Sequence, residues 1–141
     1  LDLYWPRSRE QNKKYAFVTD KARSVIRQDA SGRTLFVERT LEDVSVQALR
    51  SLWIQSYQGQ DFLLRYDYNP LRYPYLVQFM LKSNVVWAPS IDLNGTGENI
   101  EIVDGRHRLL WFLIHGYEAI KIGVPPDQLE QIRDLLRRNS L

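Results

Sequence analysis

The sequence predicts a mixed α/β (α+β) domain, a sheet with flanking helices. Three observations carry this. Strand, helix and strand patterns follow one another within about 25 residues up to position 124. β-rich runs bounded by turn residues recur in the first 40 residues and again at 85–93. Apolar residues at helical spacing occupy 46–56 and the last stretch of the chain. The 141 residues read as one domain, 1–141, with its most informative unit at about 85–124. A chain of this length hides roughly 68–70% of its unfolded surface, so its core needs no disulfide or metal staple.

The elements follow in order. The stretch to Asn12 is polar around a Tyr4-Trp5-Pro6 anchor, and residues 15–18 and 24–27 read as short strands. Asp29-Ala30-Ser31-Gly32 is turn chemistry, and residues 34–38 complete a hairpin. Asp43 or Ser45 caps the next element, where Val46, Leu49, Leu52 and Trp53 predict a helix over 46–56. Residues 60–66 read as a strand, Asn69-Pro70 and Tyr73-Pro74 as breaks, and 75–82 as a short helix. Val85-Val86-Trp87 and Ile91-Asp92-Leu93 are strand-like, with Pro89 marking an edge or bulge. Asn94-Gly95-Thr96-Gly97 turns the chain into a strand over 100–103. Asp104-Gly105 ends that strand and opens a helix through Leu109, Leu110, Phe112, Leu113 and Ile114, with Gly116 at its C-terminal cap. A strand over 119–124 completes a βαβ-like unit, and Pro125-Pro126-Asp127 starts a last helix with Leu129, Ile132, Leu135 and Leu136 on one face.

Composition excludes several classes. Apolar residues are 44% and charged residues 26%, which rules out a disordered or collagen-like chain. No apolar run approaches the ~18 residues of a membrane span. Cysteine is absent, which removes thiolate zinc sites and cysteine nucleophiles and fits a reducing compartment. The chain opens on Leu1-Asp2-Leu3 without methionine, as expected of a trimmed leader, and no signal-peptide pattern is visible. Residues 1–40 hold nine Lys/Arg against five Asp/Glu, while the remainder holds ten against twelve. A basic amino-terminal third can approach a phosphate backbone or form an ordinary solvated face.

The stretch Ile100-Glu101-Ile102-Val103-Asp104-Gly105-Arg106-His107-Arg108 carries the most chemistry. A strand delivers a turn that opens a helix, and the first helical N–H groups lack internal partners and favour an anion. Gly105 lets the backbone approach a ligand, and Arg106 and Arg108 bring planar charged forks suited to phosphate oxygens. His107 can move a proton near neutral pH, and Glu101 and Asp104 can hold a divalent ion such as Mg²⁺. The catalytic candidates are therefore Asp104, Arg106, His107 and Arg108. The same residues also read as an Asp104 N-cap beside a basic surface cluster. No Walker loop and no nucleophile elbow occur.

These residues resemble the ParB/sulfiredoxin superfamily. Its marker is strand–Gly–x–x–Arg–helix followed by glycine and a strand, matched by Glu101 to Arg108 and then His115-Gly116-Tyr117-Glu118-Ala119-Ile120. Against the Gly-Glu-Arg-Arg of the ParB branch, Gly105 and Arg108 match. Against the Gly-Cys-His-Arg of sulfiredoxins, Gly105, His107 and Arg108 match, and Arg106 stands where the catalytic cysteine would. Sulfiredoxin chemistry is therefore not implied. A full partition protein would need a helix-turn-helix domain, and 17 residues follow Val124. Within the superfamily the chain is most similar to plasmid fertility-inhibition factors of the oncogenic-suppression type. That resemblance implies a compact ParB/sulfiredoxin-like fold, binding of ATP or another nucleoside triphosphate with Mg²⁺ at Gly105, Arg106 and Arg108, ATP hydrolysis, and DNA cleavage that blocks conjugative or T-DNA transfer. It implies a cytoplasmic protein, including the periphery of the inner membrane. Its partners would be DNA, nucleotide, and the coupling protein or relaxase–DNA complex of a conjugation or type IV secretion system. The competing expectations are a non-catalytic protein docking on that machinery and a sequence-specific DNA binder.

Other constellations are weaker. His107 and His115 lie about 12 Å apart along a helix and cannot share a metal ion; His115 beside Gly116 suits the helix C-terminus. Glu130, Arg133, Asp134 and Arg137 fit ordinary ion pairs on a helix. Five of the eight tyrosines lie between 57 and 75, among Arg65 and Arg72. Arg65-Tyr66 and Arg72-Tyr73 can grip and stack a DNA strand, or the rings can pack under a loop. If Arg65 and Arg72 each neutralise one phosphate, single-strand affinity falls about sevenfold between roughly 50 and 200 mM salt. Fluorescence anisotropy of a labelled oligonucleotide checks this, and a flat response assigns the rings to packing.

Overall fold

The computed structural model describes residues 13–64 and 73–139. The Tyr4-Trp5-Pro6 anchor and the Asn69-Pro70 break lie outside the described residues. The described chain is mixed α and β, with helices set against several sheets. β1 (Ala16–Val18) pairs in parallel with β5 (Val85–Trp87), Phe17 opposite Val86 and Val18 opposite Trp87. β2 (Val25–Gln28) and β3 (Thr34–Val37) form the expected antiparallel hairpin. Its turn is organised by Asp29, whose carboxylate accepts from the Ser31 hydroxyl at 2.6 Å and from the N–H groups of Arg33 at 2.9 Å and Ser31 at 3.0 Å. The Ser31 hydroxyl, more than the N–H bonds, holds this carboxyl below its ordinary value.

The principal sheet has four strands in the order β4-β8-β6-β7, where β4 is Thr40–Ser45, β6 Ser90–Leu93, β7 Ile100–Asp104 and β8 Ala119–Val124. β4 and β8 run antiparallel, β8 and β6 parallel, and β6 and β7 antiparallel. The expected βαβ unit is corrected here. Strand, helix and strand are present at 100–124, but β6 lies between β7 and β8, and those two run in opposite directions. The turn at Asn94 is the cause. Its backbone N–H donates to the Asn99 carbonyl at 2.9 Å and folds β7 back onto β6, so β7 becomes the sheet edge and β8 returns beside β6.

Ser45 caps α1 (Val46–Trp53) by accepting from the Ala48 N–H. The strand expected over 60–66 is a helix instead, α2 (Tyr57–Leu64). Ser56 overrides the apolar run by accepting from the Gly59 N–H at 3.0 Å, which starts a new helix within a few residues of Trp53. Gly59 backs onto the end of α1 so closely that a Cβ there would lie 1.9 Å from the Trp53 carbonyl oxygen. α3 (Tyr73–Lys82) begins earlier than the expected 75, because Pro74 sits in its first turn, where no N–H is needed. α4 (Arg106–Ile114) and α5 (Leu129–Arg138) follow as expected. Arg133 pairs with Glu130 and Glu42, and Asp134 with Arg137 and Arg138. Among the described residues no helix is long and apolar enough to cross a membrane.

One buried cluster joins these elements. Val44, Ile91, Ile100, Ile102, Ile120, Ile122 and Val124 of the sheet meet Leu49, Leu52 and Trp53 of α1 and Ile132 of α5. Four consecutive residues of α4, Leu109 to Phe112, are buried, so the helix is enclosed rather than amphipathic. β1 and the residue before it close part of its outer side, with Phe17 tilted against Phe112 at 5.6 Å and Tyr15 edge-on to it at 5.8 Å. α4 closes on Gly116 with Tyr117 N–H donating to Phe112 and Gly116 N–H to Leu113.

Arg39 locks the hairpin segment to the sheet. Its side chain is 5% exposed and donates to the carbonyls of Arg23 and Ile91 and to the Asp92 carboxylate at 2.6 Å. Arg39→Ala removes the donor from the buried Ile91 carbonyl and from the partly buried Asp92 carboxylate and Arg23 carbonyl. We expect a loss of about 3 kcal/mol and a Tm lower by about 10 °C. Thermal unfolding followed by circular dichroism measures it.

Candidate functional site

The end of β7 builds the site. Ile102 pairs with Ile91 and Asp104 with Ser90, so Val103 is an extra residue and the strand bulges there. β7 is an edge strand, and the Gln58 side chain satisfies its free side. The amide Oε1 accepts from the Ile102 N–H at 2.8 Å and Nε2 donates to the Ile102 carbonyl at 3.2 Å. The Trp53 indole N–H donates to the same Oε1 at 2.9 Å and fixes the amide. Just beyond this grip the strand bulges and turns into α4.

Gly105 makes the turn at φ 96° and ψ 22°, in the left-handed region. A Cβ at this residue would lie 2.8 Å from Arg108 Nη2 and 2.9 Å from Pro89 Cα, so the position demands glycine twice over. Gly105 is the N-cap, its carbonyl accepting from the Leu109 N–H, and no side chain caps the first turn of α4. Asp104 therefore does not cap the helix. Its carboxylate pairs with Arg108 Nη2 at 3.1 Å, one turn along. Arg108 is mostly buried, and its Nε has no hydrogen-bond partner among the described residues. Arg106 lies over the Phe62 ring at 5.5 Å, and the His107 ring meets Phe62 edge-on at 5.3 Å.

These groups open into a pocket of about 570 Å³. One wall is Asp104, Gly105, Arg106, His107 and Arg108; the other is Tyr75, Leu76 and Phe79 of α3 with Trp87 of β5 and Val103. All five residues read from the sequence at 104–108 thus share one cavity. Glu101 does not join them. It faces Asp92 across the β6–β7 pair, exposed, and does not line the pocket. Arg65, Tyr66 and Arg72 lie outside the described residues, and Tyr73 opens α3 next to the pocket-lining turn. His115 is buried at the far end of α4, its ring stacked on Trp111 at 3.9 Å.

Sequence reasoning missed Tyr75, Leu76, Phe79 and Trp87. A signal was present for three of them. Tyr75 and Phe79 are spaced i, i+4 and share a helix face. Val86 points inward, so strand alternation sends Trp87 outward, an unusual place for a tryptophan. Among the described residues no group of three or more His, Asp or Glu side chains gathers around a metal position. Asp104 is the one carboxylate of the pocket among those residues. It could meet a cation there, and it is already paired with Arg108.

Gly105→Ala places a side chain in left-handed backbone and against both Pro89 and Arg108. We expect a cost of about 3 kcal/mol in chemical denaturation. An unchanged midpoint would show that the turn relaxes freely. Compared with protein-family models, with curated proteins and with solved structures, the chain matches none.

Proposed function

We propose that the pocket between α3 and the start of α4 binds a nucleoside triphosphate, and that the chain hydrolyses ATP and cleaves DNA to inhibit conjugative or T-DNA transfer. The observation that carries the first part is the Gly105 turn. It presents an uncapped helix start with Arg106, His107 and Arg108 to one cavity, opposite an aromatic wall. The ATPase and DNase activities, and transfer inhibition, draw on the resemblance of 101–120 to fertility-inhibition factors.

In this reading the helix N–H groups and the close-approaching Gly105 backbone cradle phosphate oxygens. Arg106 and Arg108 neutralise charge that grows as the P–O bond breaks. His107 holds or delivers a proton at the leaving or attacking oxygen. Asp104 would supply the protein's carboxylate to Mg²⁺, whose role when bound is to neutralise phosphate charge. In hydrolysis, water adds to phosphorus, the bond to the leaving oxygen breaks, and water's proton passes to a base or to solvent. DNA cleavage is the same displacement on a phosphodiester. The protein would act in the cytoplasm on the relaxase–DNA complex or the coupling protein.

A second reading, a non-catalytic protein docking on that machinery, draws on the β2–β3 hairpin. Ile26 and Phe36 face each other across its strands and are 61% and 74% exposed.

The two readings separate on the Arg106→Ala/Arg108→Ala variant. With Mg²⁺ present, we expect ATP turnover and DNA cleavage each to fall by about 100-fold or more relative to wild type. The single Arg106→Ala variant controls for folding, since Arg108 also packs against Asp104. A double variant with full activity would remove the enzyme from this pocket. A wild-type protein inert toward both substrates would favour docking.

A further inference from the structure

The pocket's second wall has a chemistry of its own. Tyr75, Phe79 and Trp87 are 77%, 46% and 54% exposed, far more than aromatic rings in a sealed core. They stand beside Leu76 and Val103 in the same cavity as the cationic start of α4. The wall is also held firmly. Trp87 sits opposite Val18 in the β1–β5 pair, and the next N–H, that of Ala88, donates to the Val18 carbonyl at 2.8 Å. Tyr75 and Phe79 are on adjacent turns of α3.

A ring surface attracts any nucleobase, because every base has a π-face. Telling one base from another takes hydrogen-bond donors and acceptors placed in fixed pairs along its edge. This wall offers ring and methyl surface. Among the described residues, its side-chain polar atoms are the Tyr75 hydroxyl and the Trp87 indole N–H, which belong to separate, exposed side chains. Such atoms do not form an edge-reading pair.

We propose that this wall seats a nucleobase by stacking and does not read its edge, so the site accepts purine and pyrimidine nucleoside triphosphates alike. The inference rests on the phosphate-binding reading of Gly105 to Arg108 and extends it to specificity. The phosphates supply the address, and the rings supply affinity without selectivity.

Calorimetry on the purified chain with Mg²⁺ tests it. The probes are ATP, GTP, CTP, UTP and inorganic tripolyphosphate, which has the phosphates but no base. We expect the four nucleotides to bind within about tenfold of one another, the purines ahead through their larger rings. Each should bind about 5- to 150-fold tighter than tripolyphosphate, the worth of one stacked base. Trp87→Ala should erase most of that margin and leave tripolyphosphate binding unchanged, while Trp87→Phe retains most of it. Preference for one base beyond about tenfold, nucleotides no tighter than tripolyphosphate, or an unaltered margin in Trp87→Ala would each overturn the stacking proposal. If tripolyphosphate binds but the base adds nothing, only this inference falls. If tripolyphosphate and the nucleotides all fail to bind, the phosphate reading falls and takes the stacking with it.

Discussion

The Gln58 amide grips the N–H and carbonyl of Ile102 as a neighbouring strand would, and the pocket depends on that pair of hydrogen bonds. An edge strand leaves a row of backbone groups unmet, and a buried one is costly. Gln58 meets them from a helix, so β7 needs no further strand beside it. The chain is then at liberty to bulge at Val103, turn left-handed at Gly105 and enter α4. The Trp53 indole N–H holds the same Gln58 oxygen, so hydrogen bonds tie the C-terminal end of α1, the start of α2 and the last regular rung of β7 together. The pocket's cationic rim, which starts at Arg106, thus follows four residues after the gripped Ile102.

Much of the fold was legible because local chemistry and tertiary structure agree. The Asp29 turn, the Ser45 cap, the Gly105 turn and the Gly116 cap all rest on interactions within a few residues, which the sequence displays directly. Where reading failed, the deciding contact was distant or the pattern ambiguous. The apolar run expected as a strand over 60–66 suits that reading, yet Ser56 capping and the approach of Gly59 to Trp53 make a helix of its described part, up to Leu64. The order of β6, β7 and β8 is set by the Asn94 turn and by the pairing of β6 with β8, which no periodicity records.

The site was legible on one side only. The run at 104–108 is contiguous in sequence, so its charges and its glycine advertise themselves. The facing wall comes from α3 and β5, and nothing along the chain ties Trp87 to Arg106. Tertiary structure alone brings them to a common cavity. Glu101 shows the opposite failure. Nearness in sequence grouped it with Asp104, but strand pairing set it against Asp92 and outside the cavity.

Unmet hydrogen-bonding capacity collects at this junction. Arg108 carries a guanidinium into a mostly buried position, where Asp104 takes one nitrogen and, among the described residues, Nε has no acceptor. Ser90, paired with Asp104 across the sheet, has a buried Oγ that likewise has no partner among the described residues. Leaving a charged donor unmet in the interior costs more than leaving a neutral one, and folding alone gains nothing from it at a site that already demands a left-handed glycine. In the phosphate reading proposed above, a bound anion would offer the Arg108 Nε an acceptor. Arg106 completes the argument from the other side. Over Phe62 its charge is held by a ring face, an attraction of about 0.5–2 kcal/mol. A phosphate offers the same guanidinium two parallel charge-assisted hydrogen bonds, the stronger partner of the two. In that reading, Arg106 would exchange a ring face for an anion, while Arg108 already has a carboxylate beside it.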